Sequence, residues 1–459
     1  MALTTAQKVG WGLADMGIVV FVIVKQLLIF TFLTAFLGVP VGIAGFVTSA
    51  VLVFDIITDP LIGYYSDRTE SRWGRRAPWM FVGALVMAVG MVAMFSVPSG
   101  FSTTGNLIWV TGFFIFATVG FTMAAIPYSA QAGEITQDRK ERSAMTGWRM
   151  AFASVGILIG GALVPGLAGL FGYATAALLA SPLMIGAIWL SIFLTRKAQR
   201  GLENPSDTFG DEARSKTQGS HNITNTYKAV LRNRPFMVLV VIYGVMTLAV
   251  ALITAGLPFA AVYLIMDNGE TMLSGAANAL SVLSLMFAAF VVGSILSQAI
   301  WVFLSNRLGK VGALCIGLCF YIVLLIAMYL SLPSINVTAI AGLFLLGGFT
   351  NGAYQQIPWA IYPDLMDITR QEIDVAIEGA FTSIWLFGQK LANAISPAVL
   401  GLILASFGWQ ETKEGTVEQS EAALTMLQNS ITLFPAGILG CALLLLAFVY
   451  WPMQRRSIG

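Results

Sequence analysis

The sequence predicts an all-α membrane protein with twelve transmembrane helices in two six-helix bundles and both termini in the cytoplasm. Three observations carry this expectation. The 459 residues are 57% hydrophobic and only 10% charged, with a mean hydropathy of +0.80, whereas a soluble globular chain is about 25% charged. Runs of about 20 or more apolar residues recur along the whole chain, separated by short polar stretches. Basic residues, finally, collect in alternate loops.

In chain order, the helices are expected to begin near Leu13, Val41, Pro78, Leu107, Trp148, Tyr173, Pro235, Leu280, Lys310, Val337, Glu378 and Met426. The first apolar run, Trp11 to Leu37, carries Asp15 and Lys25 and has no small-residue cleavage pattern, so it is expected to stay as a helix. Pro60, Pro127 and Pro358 are expected to bend the second, fourth and tenth helices inside the bundle. Gly156, Gly160 and Gly161 make a small-residue surface on the fifth. Cys315, Cys319 and Cys441 lie in apolar runs and read as small hydrophobes.

With the N-terminus inside, Arg68, Arg72, Arg75, Arg76, Arg139, Lys140, Arg142, Arg196, Lys197, Arg200, Arg307, Lys310, Arg370, Arg455 and Arg456 all fall on the cytoplasmic side. The opposite loops hold only Lys413. The expected organisation is an N-terminal bundle over 1–195, a polar cytoplasmic linker over 196–234 without a core of its own, and a C-terminal bundle over 235–459. The halves repeat. Ser66-Asp67-Arg68 with Gly74-Arg75 matches Ser305-Asn306-Arg307 with Gly309-Lys310, and Ile126-Pro127-Tyr128 matches Ile357-Pro358-Trp359. Parallel repeats of this kind place a substrate site near mid-membrane, open to each side in turn.

Asp55 and Asp59 are the chemical focus. They lie four residues apart, on one helix face and roughly 6 Å from each other. Two carboxylates in a bilayer repel each other and are costly to desolvate, so the pair calls for a bound cation, a shared proton or a nearby Lys or Arg. The only histidine, His221, falls in a polar loop, so no intramembrane histidine relays protons. No cluster of Ser, His or Cys supplies a nucleophile with its base, so an enzyme is not expected. Nor is a nucleic-acid partner or an organic cofactor.

Gly63-Tyr64-Tyr65-Ser66-Asp67-Arg68 followed by Gly74-Arg75-Arg76 resembles the loop 2–3 signature of the major facilitator superfamily. With Asp55-Ile-Ile-Thr-Asp59-Pro60 before it and Ser71-Arg72-Trp73-Gly74-Arg75-Arg76-Ala77-Pro78-Trp79 after it, the segment is similar to the glycoside–pentoside–hexuronide:cation symporter family. The resemblance implies a major facilitator fold, a bacterial inner membrane location and transport of a sugar or sugar acid. It also implies a monovalent coupling ion, Na⁺, Li⁺ or H⁺, at Asp55 and Asp59. By the same resemblance Asp15, Arg149 and Lys390 line the substrate cavity. Three positions depart from the family's melibiose-transporting members: Ala125 and Ser129 replace an aspartate and a tryptophan, and Gln355 falls near a tryptophan position.

The remaining candidates come from position along each helix. Lys25 lies roughly 20 Å from the cytoplasmic end, too deep to snorkel; it contacts either substrate or Asp55. Asp15 interacts with its own helix N-terminus or serves substrate or gate. Asn351, Gln355, Trp359 and Tyr362 form one stripe on the tenth helix, with amides for hydroxyls and rings for the apolar face of a sugar. On the eleventh, Lys390 stands about 18 Å deep beside Thr382, Ser383 and Asn393, with Trp385 either stacking on substrate or packing. Asp67, Arg68, Arg72, Arg75, Arg76, Arg142 and Asp364 are the expected cytoplasmic gate. Charge favours an acidic sugar: Lys25, Arg149 and Lys390 balance Asp15, Asp55 and Asp59 until a cation binds, after which a substrate carboxylate relieves the positive excess. A lysolipid or other amphiphile carrier of the same fold, and a non-transporting receptor or scaffold, are the competing functions.

Overall fold

The computed structural model describes residues 3–136, 139–200, 228, 230–373, 378–413 and 416–458. Among these, twelve helices are long and apolar enough to cross a membrane. They are α1 Thr5–Phe36, α2 Val41–Ser66, α3 Ala77–Phe95, α4 Thr103–Gln131, α5 Ala144–Phe171, α6 Tyr173–Arg196, α7 Arg234–Tyr263, α8 Val282–Leu308, α9 Lys310–Ser331, α10 Val337–Met366, α11 Phe381–Ser406 and α12 Glu421–Gln454. Among the described residues there is no named strand, only an isolated bridge between Ile265 and Ser334.

Several helices begin ahead of their apolar runs because polar caps extend them. Thr4 and Gln7 form a reciprocal capping box before α1: the Gln7 N–H donates to Thr4 Oγ1 (3.3 Å) and the Thr4 N–H to Gln7 Oε1 (2.9 Å). Ser102 Oγ accepts the Gly105 N–H at 3.1 Å and starts α4. Hydropathy does not register such caps. Wide π-type turns interrupt three spans at Phe32–Phe36, Ile159–Leu163 and Leu446–Tyr450.

The chain packs as two compact units. The first comprises Met1–Ser206, Asp267–Ala288 and Gly401–Ala423; the second comprises Asp207–Met266, Ala289–Leu400 and Leu424–Gly459. Most of the expected 196–234 linker, His221 included, lies outside the described residues.

In the first unit α1 packs against both α5 and α6. Gly156 and Gly160 of α5 meet Met16 and Val20 of α1, and a Cβ at either glycine would collide with that helix. Gly83 and Gly120 bring α3 and α4 into similar backbone contact. Both α1 and α4 also contact α2, which brings them beside the site. Later segments complete the unit: Phe287 fills the notch at Gly161, and Glu411 Oε1 accepts the Val41 N–H at 2.8 Å, at the start of α2.

The second unit is built on an aromatic core that includes Phe236, Tyr243, Tyr321, Phe381, Trp385 and Tyr450. Gly293 and Gly348 let α8 and α10 approach closely, and Trp301 Nε1 donates to the Phe349 carbonyl at 2.7 Å.

Candidate functional site

Helix α2 presents Asp55 to the interior of the first unit, and both its oxygens are engaged. Oδ1 accepts from Thr122 Oγ1 of α4 at 2.9 Å, and Oδ2 lies 3.6 Å from Lys25 Nζ of α1. Asp55 is 5% exposed and Lys25 4%. The ammonium also lies 4.4 Å from the Phe121 ring centroid and 5.4 Å from that of Phe21, within cation–π range of both. Asp59, one turn on, is half-buried. Of the two partners expected for Lys25, substrate or Asp55, the structure places it against Asp55. A lysine too deep to reach water takes the nearest buried carboxylate, so its place is in the acid site. Neither Thr122 nor Phe121 was visible as a site residue in the sequence. One hydroxyl and one ring on an apolar helix carry no signal until α4 packs on α2; the only hint was Thr118 and Thr122 at helical spacing.

A second ionic site lies in the same unit. Arg149 Nε donates to Asp15 Oδ2 at 3.0 Å, with the arginine side chain 33% exposed and that of Asp15 7%. The guanidinium carbon sits 5.4 Å from the Tyr128 ring centroid and 6.0 Å from that of Trp11, rings that stack on each other at 5.0 Å. Two residues expected to bind substrate, Asp15 and Arg149, are therefore brought together, and Gly12 makes this possible by letting α1 approach the backbone at Trp148 and Arg149. Trp11 and Tyr128 carry no signal of a site role in the sequence, because aromatic residues in apolar helices normally read as core.

In the second unit Gln355 is exposed and Trp359 is 37% exposed on α10, while Asn351 of the same stripe is buried. Trp359 Nε1 donates to the Tyr243 hydroxyl at 2.9 Å. Of the two expectations for Trp385, stacking on substrate or packing, its surroundings match packing. It is fully buried, and its two faces stack on Tyr243 (4.3 Å between centroids) and Tyr362 (5.1 Å), so it offers no free face to a sugar. Lys390 is half-buried on α11, and Asn393 Nδ2 bonds back to the Gln389 carbonyl at 3.1 Å.

The gate residues divide. Arg76 Nη1 donates to Ser66 Oγ at 2.8 Å and ties the start of α3 to the end of α2. Arg68 lies 3.5 Å over the Tyr64 ring, Arg72 is exposed and Arg75 half-buried. Asp364 pairs with Lys310 of α9 at 2.6 Å, and that lysine also donates to the Ala360 carbonyl at 2.8 Å. The side chains of Asp67 and Arg142 lie outside the described residues.

Twelve apolar helices carrying buried ion pairs are the architecture of a multi-pass membrane transporter. The fold is shared with the bacterial homologue of the human lysosomal transporter Spinster, in its inward-facing, unoccupied crystal structure: TM-score 0.63, 14% identity, covering 98% of this chain and 96% of that one. Residues 10–453 match the MFS/sugar transport protein family, and the chain belongs to that family. It is similar to the glucuronide carrier protein homolog of Escherichia coli (strain K12), at 24% identity over 98% of this chain and 93% of the relative. It is also similar to the sodium-dependent lysophosphatidylcholine symporter 1 of Xenopus tropicalis, at 23% identity over 93% of this chain and 83% of the relative. The chain is a transporter, not an enzyme.

Proposed function

We propose that this protein is a secondary symporter of the bacterial inner membrane that couples a monovalent cation, Na⁺ or H⁺, to uptake of a sugar acid by alternating access. Asp55 and Asp59, with the Thr122 hydroxyl beside them, are the oxygen ligands a small hard cation or a proton would use. Arg149, Gln355, Trp359, Lys390 and Asn393 serve the substrate, and Asp15 acts through Arg149.

One observation carries the acidic substrate: the half-exposed Arg149. Among the described residues Asp15 engages it through Nε, which leaves the terminal Nη groups for a second carboxylate. A guanidinium binds a carboxylate with two parallel hydrogen bonds, and the Tyr128 and Trp11 rings behind it fix its plane. The relatedness to a glucuronide carrier homolog supports the same chemistry. Uptake of a labelled uronate in competition with neutral glycosides and other uronates tests it. Uronates are expected to compete strongly; strong inhibition by neutral glycosides with none by uronates would overturn it.

Relatedness to a lysophosphatidylcholine symporter favours an amphiphile as the second reading. The exposed amide of Gln355 and the Asn393 amide on α11 are better matched to a polyhydroxylated ligand than to an acyl chain.

A further inference from the structure

The acid site already contains a cation of the protein's own. Lys25 is anchored on α1 at 3.6 Å from Asp55 and backed by the faces of Phe121 and Phe21. Small alkali cations are normally held in proteins by a full shell of oxygens with net negative charge. Here one of the best oxygens, Asp55 Oδ2, faces an ammonium, and the other already accepts from Thr122. An ion placed against both carboxylates would sit within a few ångströms of a like charge, in a region with little water to screen it.

We infer that Lys25 is the resident, tethered cation of the Asp55–Asp59 site, and that it competes with alkali cations for Asp55 and so sets the cation affinity and selectivity of the transporter. This rests on the assignment of Asp55 and Asp59 as the coupling site. The lysine does in place what a bound Na⁺ would do, neutralising one of two carboxylates. Na⁺ therefore binds only when the ammonium leaves, and it must replace both the ion pair and the two cation–π contacts. Four methylene groups give Lys25 the reach to leave without moving α1. The two aromatic faces hold a bare ammonium well and a hydrated alkali ion poorly, which biases the competition further towards the lysine. Selectivity at this site is thus decided by a residue on α1 that lies outside the acid pair.

The test is the Na⁺ dependence of the melting temperature of the purified full-length protein, at constant ionic strength with N-methylglucamine as the replacement ion. A ligand that binds the native state raises the melting temperature according to its affinity. Wild type, Lys25→Gln and the doubly neutral Lys25→Gln/Asp55→Asn protein are compared. The inference expects little or no Na⁺ response in wild type, a clear response in Lys25→Gln with an apparent Kd at least about tenfold lower, about 1.4 kcal/mol of restored binding, and none in the double variant. A Lys25→Gln response no larger than that of wild type overturns it. Should Lys25→Gln fail to fold because Asp55 is left buried without its counter-ion, the yield of folded Lys25→Gln extracted in Na⁺ against that in N-methylglucamine decides: recovery in Na⁺ alone supports the inference, and equal loss in both overturns it. Uronate uptake into vesicles is measured separately. A protein that transports no sugar under any ion gradient would defeat the symporter reading and leave the Na⁺ titration intact.

Discussion

Asp55 and Asp59 look equivalent in sequence, yet they occupy different environments. Asp55 is the buried half of an ion pair with Lys25, with side chains 7% and 4% exposed. Removing one partner of such a pair costs about 3–5 kcal/mol because the other charge remains buried. Asp55→Asn is therefore expected to lower the melting temperature more than Asp59→Asn, while both abolish uphill accumulation in vesicles; equal melting temperatures would contradict the asymmetry. Arg149→Lys keeps the charge and loses the planar fork. A lost charge-assisted hydrogen bond is worth about 1.5–3 kcal/mol, so KM for a uronate should rise by about ten- to a hundredfold in a transport assay. Glu141, outside the spans, shows a further residue-level effect. Hydrogen bonds from the Leu3 N–H and then Thr136, with Lys8 at 3.5 Å, hold its carboxyl below the usual 4.5. A depressed carboxyl contributes stability above its unfolded value and loses it as pH falls through the folded one. Wild type should thus lose stability relative to Glu141→Gln on acidification below about pH 4.5, read by melting temperature.

At the scale of elements, α10 and α11 show how neighbouring tryptophans divide their work. Trp385 is sandwiched between Tyr243 of α7 and Tyr362 of α10 and so joins three helices. Truncating a buried aromatic of this kind costs about 3–5 kcal/mol. Trp359 sits at the edge of the same cluster with 37% of its surface open and one hydrogen bond to Tyr243. Its loss should cost only about 1 kcal/mol of stability. Trp385→Ala is expected to fail in folding or expression, whereas Trp359→Ala should fold and show a raised KM; a stable Trp385→Ala protein with altered KM would reverse the two roles. Helix α2 is held at both ends. Glu411 meets its first turn, where a carboxylate is favoured by the helix dipole, and Arg76 grips Ser66 at its last.

At the scale of the whole molecule, a symporter's two ligands must help each other. If the cation raises substrate affinity by some factor, substrate raises cation affinity by the same factor. A melting-temperature screen of the wild-type protein against uronates, with and without the coupling ion, should show a shift with both together that exceeds the sum of the separate shifts. Strict additivity would remove the coupling.

Hydropathy was enough to predict the twelve spans, and helical spacing to put Asp55 and Asp59 on one face of α2, because burial in a bilayer restricts composition and i, i+4 spacing sets a shared face. The candidates on α2, α5 and α10 were legible for the same reason: charge and amide groups stand out against an apolar background. What each side chain does there depended on contacts between helices. Lys25 could meet substrate or Asp55 until α1, α2 and α4 were packed, and Trp385 could offer a face until Tyr243 and Tyr362 covered both. Thr122 and Tyr128 had no signal of their own. Periodicity locates a residue on its own helix, but the facing partner comes from another part of the chain, and only tertiary packing brings the two within bonding distance.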